Sequence, residues 1–516
     1  MMRNLHLIVL LLLAPSALAQ DALRPRDTPA QLVAFIDAEF ASQWRDKKLQ
    51  PSPTCSDHEF LRRAYLDING TIPTAAKARA FYSDTRRDKR ARLVDALLRS
   101  PAHAQYESLV WGNILVGRGT KAKALEQLSL RNWLREQFAA NAPFDRIARA
   151  LLTATGNSAQ NPPALWTLHH EQKPEKLASA TSRIFLGTQI QCAQCHDHPF
   201  DIWEQRDFYG LAAFFARLEE QQRLFGRTVK EKASGEIRLG GLPDGDVIPP
   251  AFLWGDDAID PKKSPRITLA NWMLRPQNAQ FAKAITNRIW AHYLGRGFVN
   301  PIDDFCDTNT PVYPKVLDRL SQYFSDNSYD LRALGRVVTA TRAYQLSSRA
   351  TRSNAGDTRY FSKMPLRRLS AEQLLASVVT STGISANIAD NPLFKLLLGS
   401  VQQEFVFVFA NMDEVTEVTE FQGTIAQALL MMNSQHMANI VDFKLLDPLT
   451  RTLFRLSPAA QIDQLYWHSL SRAPSDAERD NFLSHFEGVT QPQKRLEICE
   501  DIYWALLNSA EFAFNY

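Results

Sequence analysis

From Asp57 onward, apolar residues recur every three to four positions in segments punctuated by Gly, Pro and Asn, a period that fits amphipathic helices and little else. Glu59 to Leu66 places Phe60, Leu61, Ala64 and Tyr65 at helical spacing and stops at the turn pair Asn69-Gly70. Thr74 is placed to cap a helix through Phe81. Asp88 is placed to cap the next, whose face is Leu93, Val94, Leu97 and Leu98 and which Pro101 ends. Leu130, Trp133, Leu134 and Phe138 form another stripe, read as plain core, and Asp145 is expected to cap a helix through Leu152. Further helices are expected over Pro174 to Phe185, with Gly187 as its stop, and over Glu204 to Leu218.

The helical pattern breaks once. Between Gln221 and Pro265 glycines and prolines cluster around short strand-like pieces, Arg227 to Lys232, Glu236 to Leu239 and Val247 to Phe252. Helical spacing resumes at Thr268 and continues through Phe281 to Tyr293, Pro314 to Phe324 and Leu331 to Tyr344. Ser370 with Gln373 and Ser475 with Glu478 are capping boxes. The expected fold is mainly α: two packed multi-helix halves, residues 20–220 and 266–516, with a small β-hairpin insertion at 221–265.

Against this background Gln191 to Trp203, QCAQCHDHPFDIW, gathers Cys192, Cys195, His196 and His198 into seven positions. Cys192 to His196 is CxxCH, the attachment pattern of a c-type haem. Two thiols three positions apart fall on one side of a helical turn, within reach of two vinyl groups of one porphyrin. The next residue, His196, supplies the axial nitrogen. Phe200, Trp203, Phe208 and Tyr209 are available as walls, and His292, His169, His170, Met431, Met432 and His436 are candidates for the far side of the iron.

Two other readings stay open. Cys192, Cys195 and His198 form a plausible set for zinc or another divalent metal, with Asp197, Asp201 or Glu204 as base beside a metal-bound water in a hydrolase or lyase acting on extracellular polymer. In the third, the two cysteines pair or remain thiols in a non-enzymatic surface module. No βαβ pattern surrounds the pair, which argues against thioredoxin-like chemistry. The absence of GxSxG, HExxH and P-loop patterns removes the commonest hydrolase and nucleotide arguments. Asp303 and Asp304 read as solvated loop carboxylates.

The address is read from the start of the chain. Arg3, an apolar run from Leu5 to Leu13 and Ala17-Leu18-Ala19 make a secretory signal over residues 1–19, cleaved after Ala19. That run is too short for a permanent membrane span, and no later stretch is long and apolar enough, so the mature chain is expected to be exported, to the periplasm or cell surface. Lys+Arg 59 against Asp+Glu 55, a net charge of +4, argues against a dedicated nucleic-acid binder and leaves a redox or cell-surface partner as the expectation. Five cysteines in 516 residues exclude a disulfide-dense scaffold, with Cys55, Cys306 and Cys499 scattered.

FLRRAYLDINGTIPT (Phe60 to Thr74), DKRARLVDALL (Asp88 to Leu98), RNWLREQF (Arg131 to Phe138) and FLGTQIQCAQCHDHPFDIWEQRDFYGLAAFF (Phe185 to Phe215) carry a resemblance. So do FAKAITNRIWAHYLGRGFVNPIDDF (Phe281 to Phe305), RRLSAEQLLASV (Arg367 to Val378) and DIYWALLNSAEFAFNY (Asp501 to Tyr516). Together they closely resemble a secreted, often planctomycete family that pairs domain of unknown function 1549, described as cytochrome-like, with domain of unknown function 1553. The resemblance implies no particular activity. It implies that whatever the family's CAQCHDHPF element binds is bound here at Cys192 to Phe200, and the lack of a second CxxCH weighs against a multi-haem relay.

Overall fold

The computed structural model describes residues 26–117, 124–222, 227–255, 257–260, 262–383 and 448–516; the expected signal segment and Met431, Met432 and His436 lie outside them. Twenty α-helices stand among the described residues, with a few short antiparallel strands, so the chain is mainly α. Ahead of the ribbon come α1 (Pro29–Asp46), α2 (Asp57–Asn69), α3 (Ala75–Ser83), α4 (Lys89–Leu98) and α5 (Pro101–Val116). They are followed by α6 (Ala124–Ala139), α7 (Phe144–Thr153), α8 (Ala164–His169), α9 (Pro174–Thr181) and α10 (Gln205–Ala213). Behind the ribbon come α11 (Pro265–Met273), α12 (Ala279–Leu294), α13 (Pro314–Asp326), α14 (Leu331–Ala340) and α15 (Ala371–Ser381). The last are α16 (Pro448–Leu453), α17 (Pro458–Ser469), α18 (Asp476–Leu483), α19 (Pro492–Leu507) and α20 (Ala510–Ala513). None of the described helices is long and apolar enough to cross a membrane.

Local sequence starts many of these helices. Thr28 with Gln31, Ser56 with Glu59, Ser370 with Gln373 and Ser475 with Glu478 all close reciprocal capping boxes, satisfying backbone N–H groups that a helix start leaves open. Two expected caps are different. Asp88 sits at the start of α4 but its carboxylate pairs with Arg92 at 2.7 Å instead of bonding the backbone. Asp145 lies inside the first turn of α7, which begins one residue earlier at Phe144. Two helices also end sooner than their periodicity suggests. α10 stops at Ala213 because Leu218–Gln222 is drawn out as a strand against Arg227–Glu231. α14 stops at Ala340, where Thr341 turns extended and its hydroxyl donates to the Val338 carbonyl at 2.7 Å.

The ribbon is stitched into the first helical group. β1 (Gly156–Asn157), β2 (Leu218–Gln222) and β3 (Arg227–Glu231) form an antiparallel sheet in the order β1-β3-β2, and β4 (Ile237–Arg238) pairs with β5 (Val247–Ile248). Ala251 donates to the Gly210 carbonyl at 3.0 Å, and a side chain at Gly210 would meet the Ala251 methyl, so the ribbon lies hard against α10.

The larger hydrophobic core draws on helices from both sides of the ribbon. Phe40 of α1 meets Trp290 of α12 edge-on at 5.7 Å and lies 4.3 Å from Tyr313 and 5.8 Å from Phe361. A second core gathers α15 to α17, α19 and α20 around Leu375, Leu465, Cys499 and Tyr503, with Leu66 and Ile72 reaching in from the N-terminal side. β6 (Arg367–Arg368) and β7 (Phe514–Asn515) pair beside it, bringing the end of the chain against α2, where Arg62 donates to the Phe512 carbonyl at 2.6 Å.

Burial of histidines makes stability depend on pH, most strongly at His58 and His170. His58, between the Leu470 carbonyl and the Tyr516 hydroxyl, is pushed by burial from its ordinary 6.5 down to about 4, with Glu511 pulling the other way. His170, against Trp166 at 5.4 Å, is pushed by burial from 6.5 down to about 3. The unfolded chain takes up both protons below pH 6.5 while the native chain refuses them. Their contribution is therefore fully present above pH 6.5 and is lost as pH falls toward the native values. Burial also lowers His103 and His468, so the unfolding free energy from urea titrations between pH 7.5 and 5 is expected to fall with a slope of two protons or more, about 2.7 kcal/mol per pH unit for the first two, and to flatten partly in His58→Gln. A profile that stays level across pH 6.5 would show that neither histidine resists protonation.

Candidate functional site

The CxxCH element hangs between α9 and α10. α9 runs on into one π-helical turn, Ser182–Leu186, which widens the helix and ends at Gly187 in the left-handed region, φ 65°. Only glycine suits that position twice over, since a Cβ there would also lie 2.8 Å from the Phe305 ring. The carbonyls around this turn are held from α12 and the loop after it. Gln280 donates to the Leu186 carbonyl at 2.7 Å, Phe305 to that of Gly187 at 2.9 Å, and the Gln189 side chain to Asp303 at 2.9 Å. Asp303 is thus no solvated carboxylate. It is 2% exposed, because it answers Gln189 and sits within 4.0 Å of both Arg183 and Arg288.

Next comes a single 3-10 turn, Gln191–Gln194, with three residues per turn. Ile190 and Ala193, three apart, are both wholly buried and anchor it. The same spacing turns Cys192 and Cys195 outward, and both are exposed free thiols. The loop beyond is pinned at its base. Asp197 accepts from the Gln205 backbone at 2.9 Å, the Gln205 side chain donates to the Gln194 carbonyl at 3.1 Å, and His198 N–H donates to the Trp203 carbonyl at 2.8 Å. Trp203 is buried edge-on to Trp254 at 5.4 Å, whereas Phe200 and Ile202 stand 82% and 66% exposed in the same loop.

The two imidazoles are used in opposite senses. His196 Nδ1 lies 2.7 Å from the Asp197 carbonyl, which can only accept, so Nδ1 carries the proton and the exposed ring keeps a lone pair on Nε2. This is the arrangement in which a backbone carbonyl fixes the tautomer of a metal-binding histidine. His198 Nδ1 instead accepts the Phe200 backbone N–H at 3.3 Å, which consumes its lone pair within the loop.

The structure thus brings Cys192, Cys195 and His196 to one exposed turn and turns His198 to structural use. Trp203, Phe208 and Tyr209, expected as porphyrin walls, are 4%, 0% and 2% exposed and belong to the core, leaving Phe200 exposed together with Ile202, which the residue pattern did not single out. Burial raises the Tyr209 phenol above its ordinary value, with Glu175 and Cys195 near enough to add to the shift. The proposed bases do not converge. Asp201 accepts from the Ile202 backbone and Glu204 shares a capping box with Asp207. His292 donates to the Asp67 carbonyl at 2.8 Å, and His169 lies edge-on to the partly buried His170 at 5.1 Å. Among the described residues no three His, Cys, Asp or Glu side chains stand together as a metal site, and the five cysteines are all free.

Residues 35–220 match the family described as PSCyt2, a protein of unknown function (DUF1549), and residues 265–404 match PSD1, a protein of unknown function (DUF1553). No curated protein and no solved structure matches the chain.

Proposed function

The chain belongs to the family that joins a PSCyt2 domain to a PSD1 domain, and from that premise we propose that it is an exported redox protein holding one covalent c-type haem. Cys192 and Cys195 would hold it covalently and His196 would ligate its iron through Nε2. The haem, once bound, supplies one-electron chemistry. The observation that carries the reading is the tautomer pattern: the carbonyl of Asp197 leaves His196 with a free Nε2 lone pair beside two outward thiols, while His198, which a zinc site would need, spends its Nδ1 on Phe200. Exposed Phe200 and Ile202 add bare apolar surface to the same loop.

The test is export from a host with c-type haem maturation machinery, followed by absorption spectroscopy and intact mass. The expected result is a Soret band and a mass increase of one haem, both lost in the double variant Cys192→Ala, Cys195→Ala. A colourless protein of unmodified mass would sink the haem reading, and stoichiometric zinc in that same sample would support the metal reading in its place.

A further inference from the structure

Away from the thiols, an open groove of about 510 Å³ runs between one face of α6 and the turn that follows β1. Leu128, Ser129, Asn132, Trp133 and Glu136 line it from the helix, and Ala159, Gln160 and Pro162 from the turn. Helical geometry explains the first set. Leu130, Leu134 and Phe138 form the buried stripe, and Trp133 falls at its edge, partly buried and packed against the core rather than in it, which corrects its reading as plain core. Its indole is therefore held by the core on one side and open to the groove on the other. The opposite wall is rigid: Asn157 accepts from the Ala159 backbone through its side chain at 2.8 Å and from Asn161 through its carbonyl at 2.8 Å, and β1 ties the segment to β3.

The polar groups here are uncommitted. The side chains of Ser129, Asn132, Glu136 and Gln160 have no hydrogen-bond partner among the described residues, although they crowd one half-buried indole. A hydroxyl and two carboxamides each offer both a donor and an acceptor, which is the complement of a sugar hydroxyl. The indole offers a flat apolar face for the C–H side of a pyranose ring. Among the described lining residues Glu136 is the one ionisable group and it is acidic, so it repels phosphate, sulfate and uronate ligands. The groove is open to solvent.

We propose that this groove binds a neutral glycan chain, one sugar ring stacked on Trp133 and its hydroxyls met by Asn132, Glu136 and Gln160. The site is independent of the cysteine turn, so it stands whether or not the chain carries haem.

Calorimetric titration of the full chain with cellohexaose, mannohexaose and chitohexaose, beside hexagalacturonate and a proline-rich decapeptide, tests it. At least one neutral hexasaccharide is expected to bind, about tenfold or more weaker in Trp133→Ala, and weaker again when Asn132→Ala and Gln160→Ala are combined, with no binding of the uronate. The combined amide variant, which touches only surface side chains, keeps the test decisive if Trp133→Ala unfolds. The proposal is overturned if none of the three neutral sugars binds, if their binding is unchanged in the folded variants, or if the decapeptide alone binds and depends on Trp133.

Discussion

Asp67→Ala is expected to lower stability by about 3 kcal/mol, because it strands a mostly buried guanidinium that has no other carboxylate partner among the described residues. The Asp67 carboxylate is 1% exposed and accepts from Arg367 at 2.8 Å, from the Asn515 amide at 2.7 Å and from the Tyr344 hydroxyl at 2.9 Å. Its own carbonyl accepts from His292, whose carbonyl in turn accepts from Arg367 at 2.7 Å. One side chain of α2 thus ties Tyr344, β6 and β7 together while the same residue's backbone carbonyl holds α12, and removing the side chain loosens both hydrophobic cores where they meet. Tyr344→Phe removes a single hydrogen bond from the same carboxylate and is expected to cost only about 0.5–1.5 kcal/mol. Urea unfolding of the two variants checks the pair. A loss below about 1 kcal/mol for Asp67→Ala would mean that Arg367 swings to water instead, through the fifth of its side chain already exposed.

The second large effect separates the two histidines of the CxxCH loop. In chain exported from a haem-maturing host, His196→Ala is expected to abolish or strongly shift the Soret band, because the nitrogen left free by the Asp197 carbonyl is gone. His198→Ala is expected to leave the band in place and to lower thermal stability modestly, since it removes only the bond from Phe200 N–H. A zinc site would respond the other way round, with metal affinity falling steeply in His198→Ala and little changed in His196→Ala. Absorption spectra and metal content of the same two preparations distinguish these outcomes.

The helices themselves were legible because their signals are local. Capping boxes such as Ser370 with Gln373 satisfy backbone groups within four residues, and burial of Phe60, Leu134 or Phe208 follows from a 3.6-residue period. What periodicity misplaced were ends set by a distant partner. Leu218 leaves the helical pattern because β3 pairs with it, and Trp133 sits at the edge of its stripe because the turn after β1 comes near without covering it. At the CxxCH turn, spacing alone put the two thiols on one side. The roles of His196 and His198 needed the positions of two backbone groups, the Asp197 carbonyl and the Phe200 N–H, which no residue pattern specifies.

The sequence by itself therefore determined a mainly helical chain and a CxxCH element, since both depend on residue type and short-range spacing. Only the tertiary structure decided that Asp303 is buried behind that element, that Asp67 joins segments some 300 to 450 residues apart, and that an indole faces an open groove. The physical reason is the same in each case. A carboxylate or an indole is equally at home in water or in a satisfied interior, and which of these it meets is fixed by partners that only the folded chain brings near.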